Sequence, residues 1–245
     1  LGHFLDVPAR VYRNDAAWIA PLRLTERRRV SPAGHPFYRH AKGKFLVACR
    51  DGTPGGRIGA TINKLYLERF GQPVGHLAML EAEDDADLFD ALLHTAETWL
   101  IANGMRAVNG PFSLSMNEEP GLLVDGFGHP PTVLMGHARP YYQSHLERIG
   151  YRKEIDLFAY LGPVEATLDT SLAEQARRLA ERAGVNLRRS SRRSFYRDLL
   201  AAFRHYNEAW LGNWGHTPMT EDEIKESAQA IWVLASPEAL AFAER

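Results

Sequence analysis

The chain is poor in the residues that would cross-link it or hold a metal through sulfur. A single cysteine, Cys49, stands among 245 residues. No internal disulfide and no multi-thiolate metal site can therefore form within it. So few thiols suit a reducing compartment, and a cytoplasmic location is expected. The ten histidines show neither HExxH nor a comparable ligand spacing, so no metal site is expected. No apolar run reaches the ~18 residues that a membrane-spanning helix needs. A formal net charge of -1 gives the molecule as a whole no field that would draw in nucleic acid. No Gly-x-Ser-x-Gly nucleophile elbow occurs. The chain opens on Leu1-Gly2-His3 without initiator Met, basic n-region or apolar h-region. It closes on Ala243-Glu244-Arg245 inside an apparent strand, and both ends read as the edges of a fragment.

With 45% hydrophobic and 24% charged residues the chain has the composition of a globular protein able to bury a core. Residues 8–29 read as short helical pieces, and the prolines and glycine of Ser31-Pro32-Ala33-Gly34-His35-Pro36 break them off. Lys44 to Arg50 is an apolar run between charges, followed by turn chemistry at 51–56 and a returning partner at 57–62. Val74 to Leu80 supplies a third strand. Asp84 and Asp85 can cap a helix that Gly104 closes, with Phe89, Leu92, Leu93, Ala96, Trp99 and Leu100 on one face. Arg106 to Gly110 leaves that helix as a strand. Tyr141 to Ile149 reads as a helix ended by Gly150, and the alternation of Tyr151 to Leu161 as a closing strand punctuated by Gly162-Pro163. A further cycle follows: a helix from Ser171 to Ala183, a strand from Val185 to Arg189, a helical stretch from Phe195, and an opening strand at Ala239 to Ala243. The class is α+β.

Two stretches carry a recognisable pattern. One is Gly110-Pro111-Phe112-Ser113-Leu114-Ser115-Met116-Asn117-Glu118-Glu119-Pro120-Gly121, running on through Pro130-Pro131 and His137 to Pro140-Tyr141-Tyr142. The other is Tyr206-Asn207-Glu208-Ala209-Trp210, Asn213-Trp214-Gly215 and Pro218-Met219-Thr220. Together they resemble a bacterial family of tandem proteins with the GNAT (N-acyltransferase) fold, some of them linked to bacterial ceramide synthesis. The resemblance implies a mixed central sheet flanked by helices in two lobes. Residues 1–163 would form the first lobe, lacking its opening strand, and residues 164–245 the start of the second. It implies acyl transfer from acetyl-CoA or a longer acyl-CoA to a primary amine of long-chain, sphingoid type. The alternative is a non-catalytic binding or scaffold protein on the same fold.

A GNAT enzyme holds the CoA pyrophosphate on backbone N–H groups at a helix N-terminus, usually through a Gly-rich turn. The corresponding junction here, residues 81–87, has no glycine and five carboxylates (Glu81, Glu83, Asp84, Asp85, Asp87). The resemblance also sets Leu146 where many such enzymes carry a proton-donating tyrosine, and leucine has no proton to give. The first lobe is therefore expected to shape a pocket, and acyl-CoA to bind beyond Arg245. No cofactor-binding residue is assigned.

Glu118 and Glu119 are the candidate catalytic residues, either able to accept a proton from an attacking amine; the alternative is carboxylates that complement a helix dipole. Asn117, His137, Tyr141 and Tyr142 are candidate substrate-binding residues, against a reading as loop polar groups and half-buried aromatic packing. Tyr206, Asn207, Trp210, Asn213 and Trp214 complete the set. On a helix Tyr206, Trp210, Asn213 and Trp214 would share one face, as a channel lining or as an interface between lobes. The arginines from Arg177 to Arg197 read either as contacts to lipid headgroups or a CoA phosphate, making peripheral membrane contact, or as a solvated face. Gly55-Gly56-Arg57-Ile58-Gly59 opens a strand and is no phosphate loop. Cys49, in an apolar strand, reads as an inert buried thiol.

Overall fold

Asp51 and Gly52 take φ of 50° and 75° and reverse the chain between strand β1 (Ala41–Arg50) and strand β2 (Thr53–Asn63), which pair antiparallel. The computed structural model describes residues 1–162, 170–234 and 236–244. Pro163 and the expected lobe boundary after it lie outside the described residues. The chain divides into two compact units, Leu1–Glu154 with Leu211–Thr217, and Ile155–Trp210 with Pro218–Arg245.

In the first unit β3 (Val74–Ala82) pairs antiparallel with β2, and β4 (Ala107–Phe112) pairs parallel with β3. The sheet order is β1-β2-β3-β4. Its one parallel step needs a long crossover, which helix α4 (Ala86–Ala102) supplies. Asp85 caps that helix through a bond to the Asp87 N–H. Phe89, Leu92, Leu93, Ala96 and Leu100 are buried against the sheet. The helix lies so close to the strands that a Cβ on Gly56 would stand 2.7 Å from Leu92, and one on Gly75 2.5 Å from Leu100. The glycine-rich opening of β2 thus serves packing. Helix α5 (Tyr141–Ile149) closes the same layer and stops at Gly150, φ 110°.

Helix α1 (Gly2–Val11) contains Pro8, which has no N–H to offer the Phe4 carbonyl one turn back. Arg57 Nη1 takes that carbonyl at 3.3 Å, and its guanidinium lies 4.9 Å from the centroid of the Phe4 ring. A proline inside one helix is thereby matched to an arginine in the middle of a buried strand. Helix α2 (Arg23–Arg29) follows, and a short 3-10 turn over Pro36–Arg39 leads into β1.

Three expectations need correction. Helix α3 (Lys64–Phe70) was not foreseen; the Asn63 side chain starts it by accepting the Leu65 and Tyr66 N–H groups. Tyr151 to Leu161 forms no strand. Among the described residues the sheet ends at β4, the segment pairs with no strand, and Tyr160 and Leu161 are each 91% exposed. Cys49 is exposed, because β1 is an edge strand whose last residues lie past a register shift at Ala48/Cys49.

The second unit holds α6 (Thr170–Arg182), β5 (Asn186–Arg189), α7 (Phe195–Ala209), α8 (Glu221–Leu234) and β6 (Ala241–Glu244), which pairs antiparallel with β5. Phe195, Leu199 and Ala228 are its buried apolar centre. Asp198, buried beside them, receives Arg188 through both nitrogens at 2.8 and 2.9 Å and Ser190 Oγ at 2.8 Å. The guanidinium of Arg188 holds that carboxyl well below the usual carboxylate range.

Candidate functional site

Strand β3 does not run straight through the sheet. Gly59 faces Ala78 while Arg57 faces Glu81, so Met79 and Leu80 together oppose Ile58. Met79 absorbs the extra residue with φ 50°, a strained value for a side chain with a Cβ. At this bulge a cleft with a cavity of about 140 Å³ opens in the first unit. Met79, Leu80 and Glu81 line it from the sheet; Glu26 and Arg29 enter from α2 and Glu119 from the loop after β4.

The polar floor is a network of acids and guanidinium groups. Arg29 Nη1 lies 2.7 Å from Glu26 Oε1, its Nε 3.0 Å from Glu118 Oε2, and Nη1 3.4 Å from Glu119 Oε1. Arg57 Nη2 is 3.6 Å from Glu26 Oε2. Glu118 also accepts Ser113 Oγ at 3.0 Å. Glu119 keeps 38% of its side chain exposed. Burial behind it, with Glu26 and Glu118 nearby, raises its carboxyl above the ordinary value against the pull of Arg29. Around this floor four carboxyl groups (Glu26, Glu81, Glu118, Glu119) face two guanidinium groups (Arg29, Arg57), so the balance is acidic.

Glu81 is half-buried behind the bulge. Tyr12 Oη donates to its Oε2 at 2.5 Å and Tyr142 Oη to the same oxygen at 2.8 Å. Burial raises this carboxyl, while Arg57 and the two tyrosine hydrogen bonds oppose the rise. Tyr142 Oη accepts the Ala82 N–H at 2.9 Å, and Tyr141 Oη donates to the Ala82 carbonyl at 2.8 Å. Both tyrosines of α5 thus dock on the end of β3. His137 Nε2 stands 3.0 Å from Asp15 Oδ2, which Arg139 Nη1 also reaches at 3.0 Å. The Tyr12 ring stacks on Trp18 at 5.3 Å. Trp18, Ile19, Pro21, Leu122, Pro131 and Met135 give the cleft an apolar rim.

Of the residues expected from sequence, Glu119, His137 and Tyr142 line this cleft. Glu118 joins its floor through Arg29, and residues 117–119 lie in turns, with no helix there whose dipole they would complement. Asn117 Nδ2 donates to the Thr217 carbonyl at 2.7 Å. The shared helix face fails: α7 ends at Ala209, so Asn213 and Trp214 lie beyond it on a turn. Trp214 lines a second, narrow pocket of about 10 Å³ with Tyr66, His76 and Asn109. Tyr206 and Trp210 rings lie 5.2 Å apart, and Asn207 exchanges two hydrogen bonds, each 2.9 Å, with the Met219 backbone.

Glu26, Arg57, Glu81, Tyr12 and Asp15 were missed. One signal was available: Arg57 is a charge set between Gly56 and Ile58 in an otherwise apolar strand, which demands a buried partner. The acidic junction carries its own partners. Arg50 pairs with Asp85 and Asp87, Arg10 with Glu83 and His145 with Asp84. Leu146 is buried in the core. Among the described residues no group of three or more His, Cys, Asp or Glu is placed to hold a metal ion, and no helix is long and apolar enough to cross a membrane.

No family model matches the chain. It is 39% identical over 235 residues to the protein named bacterial ceramide synthase of Caulobacter vibrioides (strain NA1000 / CB15N), a match that takes in 94% of this chain and 60% of that protein. It is 34% identical over 242 residues to Protein YghO of Escherichia coli (strain K12), taking in 98% of this chain and 61% of that protein. The chain is thus homologous to both along nearly all of its own length, and it spans about three fifths of the length of these curated relatives.

Proposed function

We propose that this chain belongs to an acyl-CoA-dependent N-acyltransferase of the GNAT type, which joins an acyl group to the primary amine of a long-chain, sphingoid-like acceptor. The carrying observation is the cleft, with an acidic floor and an apolar rim. An ammonium group suits the floor: set beside Glu119 it would relieve the carboxylate repulsion that now raises that group. A hydrocarbon chain suits Trp18, Ile19, Leu122 and Met135. The likeness to a protein named bacterial ceramide synthase supports an amine of lipid character. The mixed sheet with one parallel step and a crossover helix supports the GNAT layout.

In this reading Glu118 is committed to Arg29 and Ser113, and Glu119 receives the ammonium. Acyl-CoA is assigned to a site away from the N-terminus of α4, where Asp85 already caps the helix and Arg50 is already paired. In the full-length protein, Glu119→Gln is expected to raise the amine KM about tenfold or more while kcat changes little, since a hydrogen bond to a charged group is worth about 1.5–3 kcal/mol. Full-length protein that turns over no acyl-CoA with any long-chain amine would sink the reading. It would favour the second one, a binding protein on a degenerate GNAT fold, for which the self-paired acidic junction and the buried Leu146 speak.

A lipid-like acceptor would reach the cleft from a bilayer. Ile19, Leu22, Leu24, Val133, Leu134 and Met135 are exposed, and they lie in or beside two of the segments that form the rim. Arg23, Arg27 and Arg28 are exposed beside them on α2. Apolar side chains with adjacent arginines fit the surface of an anionic membrane. Full-length protein is expected to float with vesicles containing phosphatidylglycerol and to lose that association on Leu22→Ser with Leu24→Ser. Protein that stays in the unbound fraction at low salt would refute the contact.

A further inference from the structure

Between β4 and α5 the chain runs through residues 113–140 without a helix or strand. A connection of that length inside a compact unit is uncommon and usually serves a function. Its middle, residues 124–136, is held differently from its flanks. Before it, the Gly121 N–H donates to the Pro111 carbonyl at 2.9 Å, and Leu122 and Leu123 pack against the core. After it, His137 Nε2 stands 3.0 Å from Asp15 Oδ2, and Ala138 is buried. Within 124–136 no residue is buried. Among the described residues its hydrogen bonds are all internal: the Gly126 N–H to Asp125 Oδ1, the His129 N–H to the Gly126 carbonyl, and the Met135 N–H to the Thr132 carbonyl. A Cβ on Gly128 would meet nothing within 4 Å. Yet Pro131, Met135 and Gly136 line the cleft. One wall of the cleft is therefore attached to the rest of the unit only at its two ends, the pattern of a segment that opens at low cost.

The backbone can turn near both ends and is stiff between them. Gly126 takes φ 84°, and Gly136 adjoins His137, so a residue without Cβ stands near each end. Pro130 and Pro131 fix φ between them. Leu134 takes φ 62°, a left-handed value that is costly for leucine and persists only where the surroundings hold it. Its side chain is 53% exposed, so little packing holds it there. The closed position thus stores strain that opening would release. Size points the same way. The cavity measures about 140 Å³. One of about 150 Å³ takes a benzene ring, so a long alkyl chain does not fit inside while this wall stays in place.

We infer that residues 124–136 are a lid, closed over the cleft in the free protein and swung outward when the alkyl chain of the acceptor enters. The inference rests on the long-chain acceptor proposed above. The entering chain lies against Trp18, Ile19 and Leu122, which line the cleft from outside the lid. A short amine is held at Glu119 without this movement. Only the longer ligand binds the open position better than the closed one, and that difference is what shifts an equilibrium between them.

Full-length protein carrying Cys49→Ser and Met135→Cys, labelled with bimane at position 135, reads the lid directly. Tryptophan quenches bimane on contact, and Trp18 lines the same cleft. The label is expected to be quenched in the free protein and to stay quenched with butylamine. Saturation with dodecylamine, followed by calorimetry, should brighten it to the level of the same protein with Trp18→Phe. Leu134→Gly adopts the left-handed conformation without strain, so it should favour the closed lid and weaken dodecylamine binding about fivefold, leaving butylamine binding unchanged. A label already bright in the free protein, or one still quenched with dodecylamine bound, overturns the lid. So does Leu134→Gly that binds dodecylamine as tightly as the wild type. Dodecylamine that does not bind at all sinks the long-chain acceptor and the lid with it. Opening on dodecylamine without turnover of any acyl thioester sinks the acyl-transfer reading alone and leaves the lid standing.

Discussion

Glu26→Ala is expected to destabilise the first unit by about 3–5 kcal/mol, the usual cost of removing one partner from a buried ion pair. Glu26 and Arg57 are both buried. The Glu26 carboxylate is divided between Arg29 at 2.7 Å and Arg57 at 3.6 Å. Arg29 would keep Glu118 and Glu119. Arg57 would keep the Phe4 carbonyl that Pro8 leaves free, while its Nε has no hydrogen-bond partner among the described residues. The guanidinium would then have lost its paired carboxylate and keep Glu81, whose carboxyl burial raises, as a nearby acid. Glu26→Gln retains an acceptor and should cost less. Glu26→Leu combined with Arg57→Met should recover most of the loss, because replacing both charges by apolar groups of similar size removes the desolvation penalty along with the attraction. Urea unfolding, with hydrogen exchange at β2 to localise the effect, measures all three. A loss below about 1 kcal/mol for the alanine variant would mean that water reaches Arg57 through the cleft and screens it.

What the sequence disclosed about this arrangement follows the range of the interactions involved. β1, β2, β3 and α4 were legible because their apolar residues repeat at the period of the element and their ends carry turn or cap residues within a few positions. Helix α3 escaped because it is seven residues long, with Leu67 only partly buried against the core, and the Asn63 cap is the one local mark of its start. Tyr151 to Leu161 misled because its alternation is genuine but the segment pairs with no strand, and nothing in the structure explains why it leaves the edge at β4 unused. In the cleft, Glu119, His137 and Tyr142 stood out as polar residues in unusual strings. Their partners did not, since Tyr12 meets Glu81 across 69 positions and Asp15 meets His137 across 122. No local spacing encodes such a pair. The acidic run at 81–87 shows the same limit. It reads as one block of charge, yet the fold uses Glu81 as a half-buried tyrosine acceptor and Asp85 as a cap.

Phe89→Ala is the second large effect, again about 3–5 kcal/mol, from the lost transfer energy of the ring and the cavity it leaves. Phe89 is wholly buried on α4, edge-on to Tyr142 at 5.4 Å and stacked on His145 at 4.3 Å. Those two side chains belong to α5, so the ring is the wedge that joins the crossover helix to the helix covering the end of β3. Phe89→Leu refills part of the space and should cost less. The consequence for the cleft is separate from the stability loss. Tyr142 reaches Glu81 and the Ala82 N–H with a single hydroxyl, and Phe89 is one of the side chains that fix its ring. A ring free to tilt would leave the Glu81 carboxyl one donor short behind the bulge. Hydrogen exchange should therefore rise in α5 and at the end of β3 together, and a double-mutant cycle of Phe89→Ala with Tyr142→Phe should show a coupling of about 0.5–3 kcal/mol. Strict additivity would mean that Tyr142 is held by its hydrogen bonds alone. Packing on the far side of α4 would then exert no influence on the geometry of the cleft.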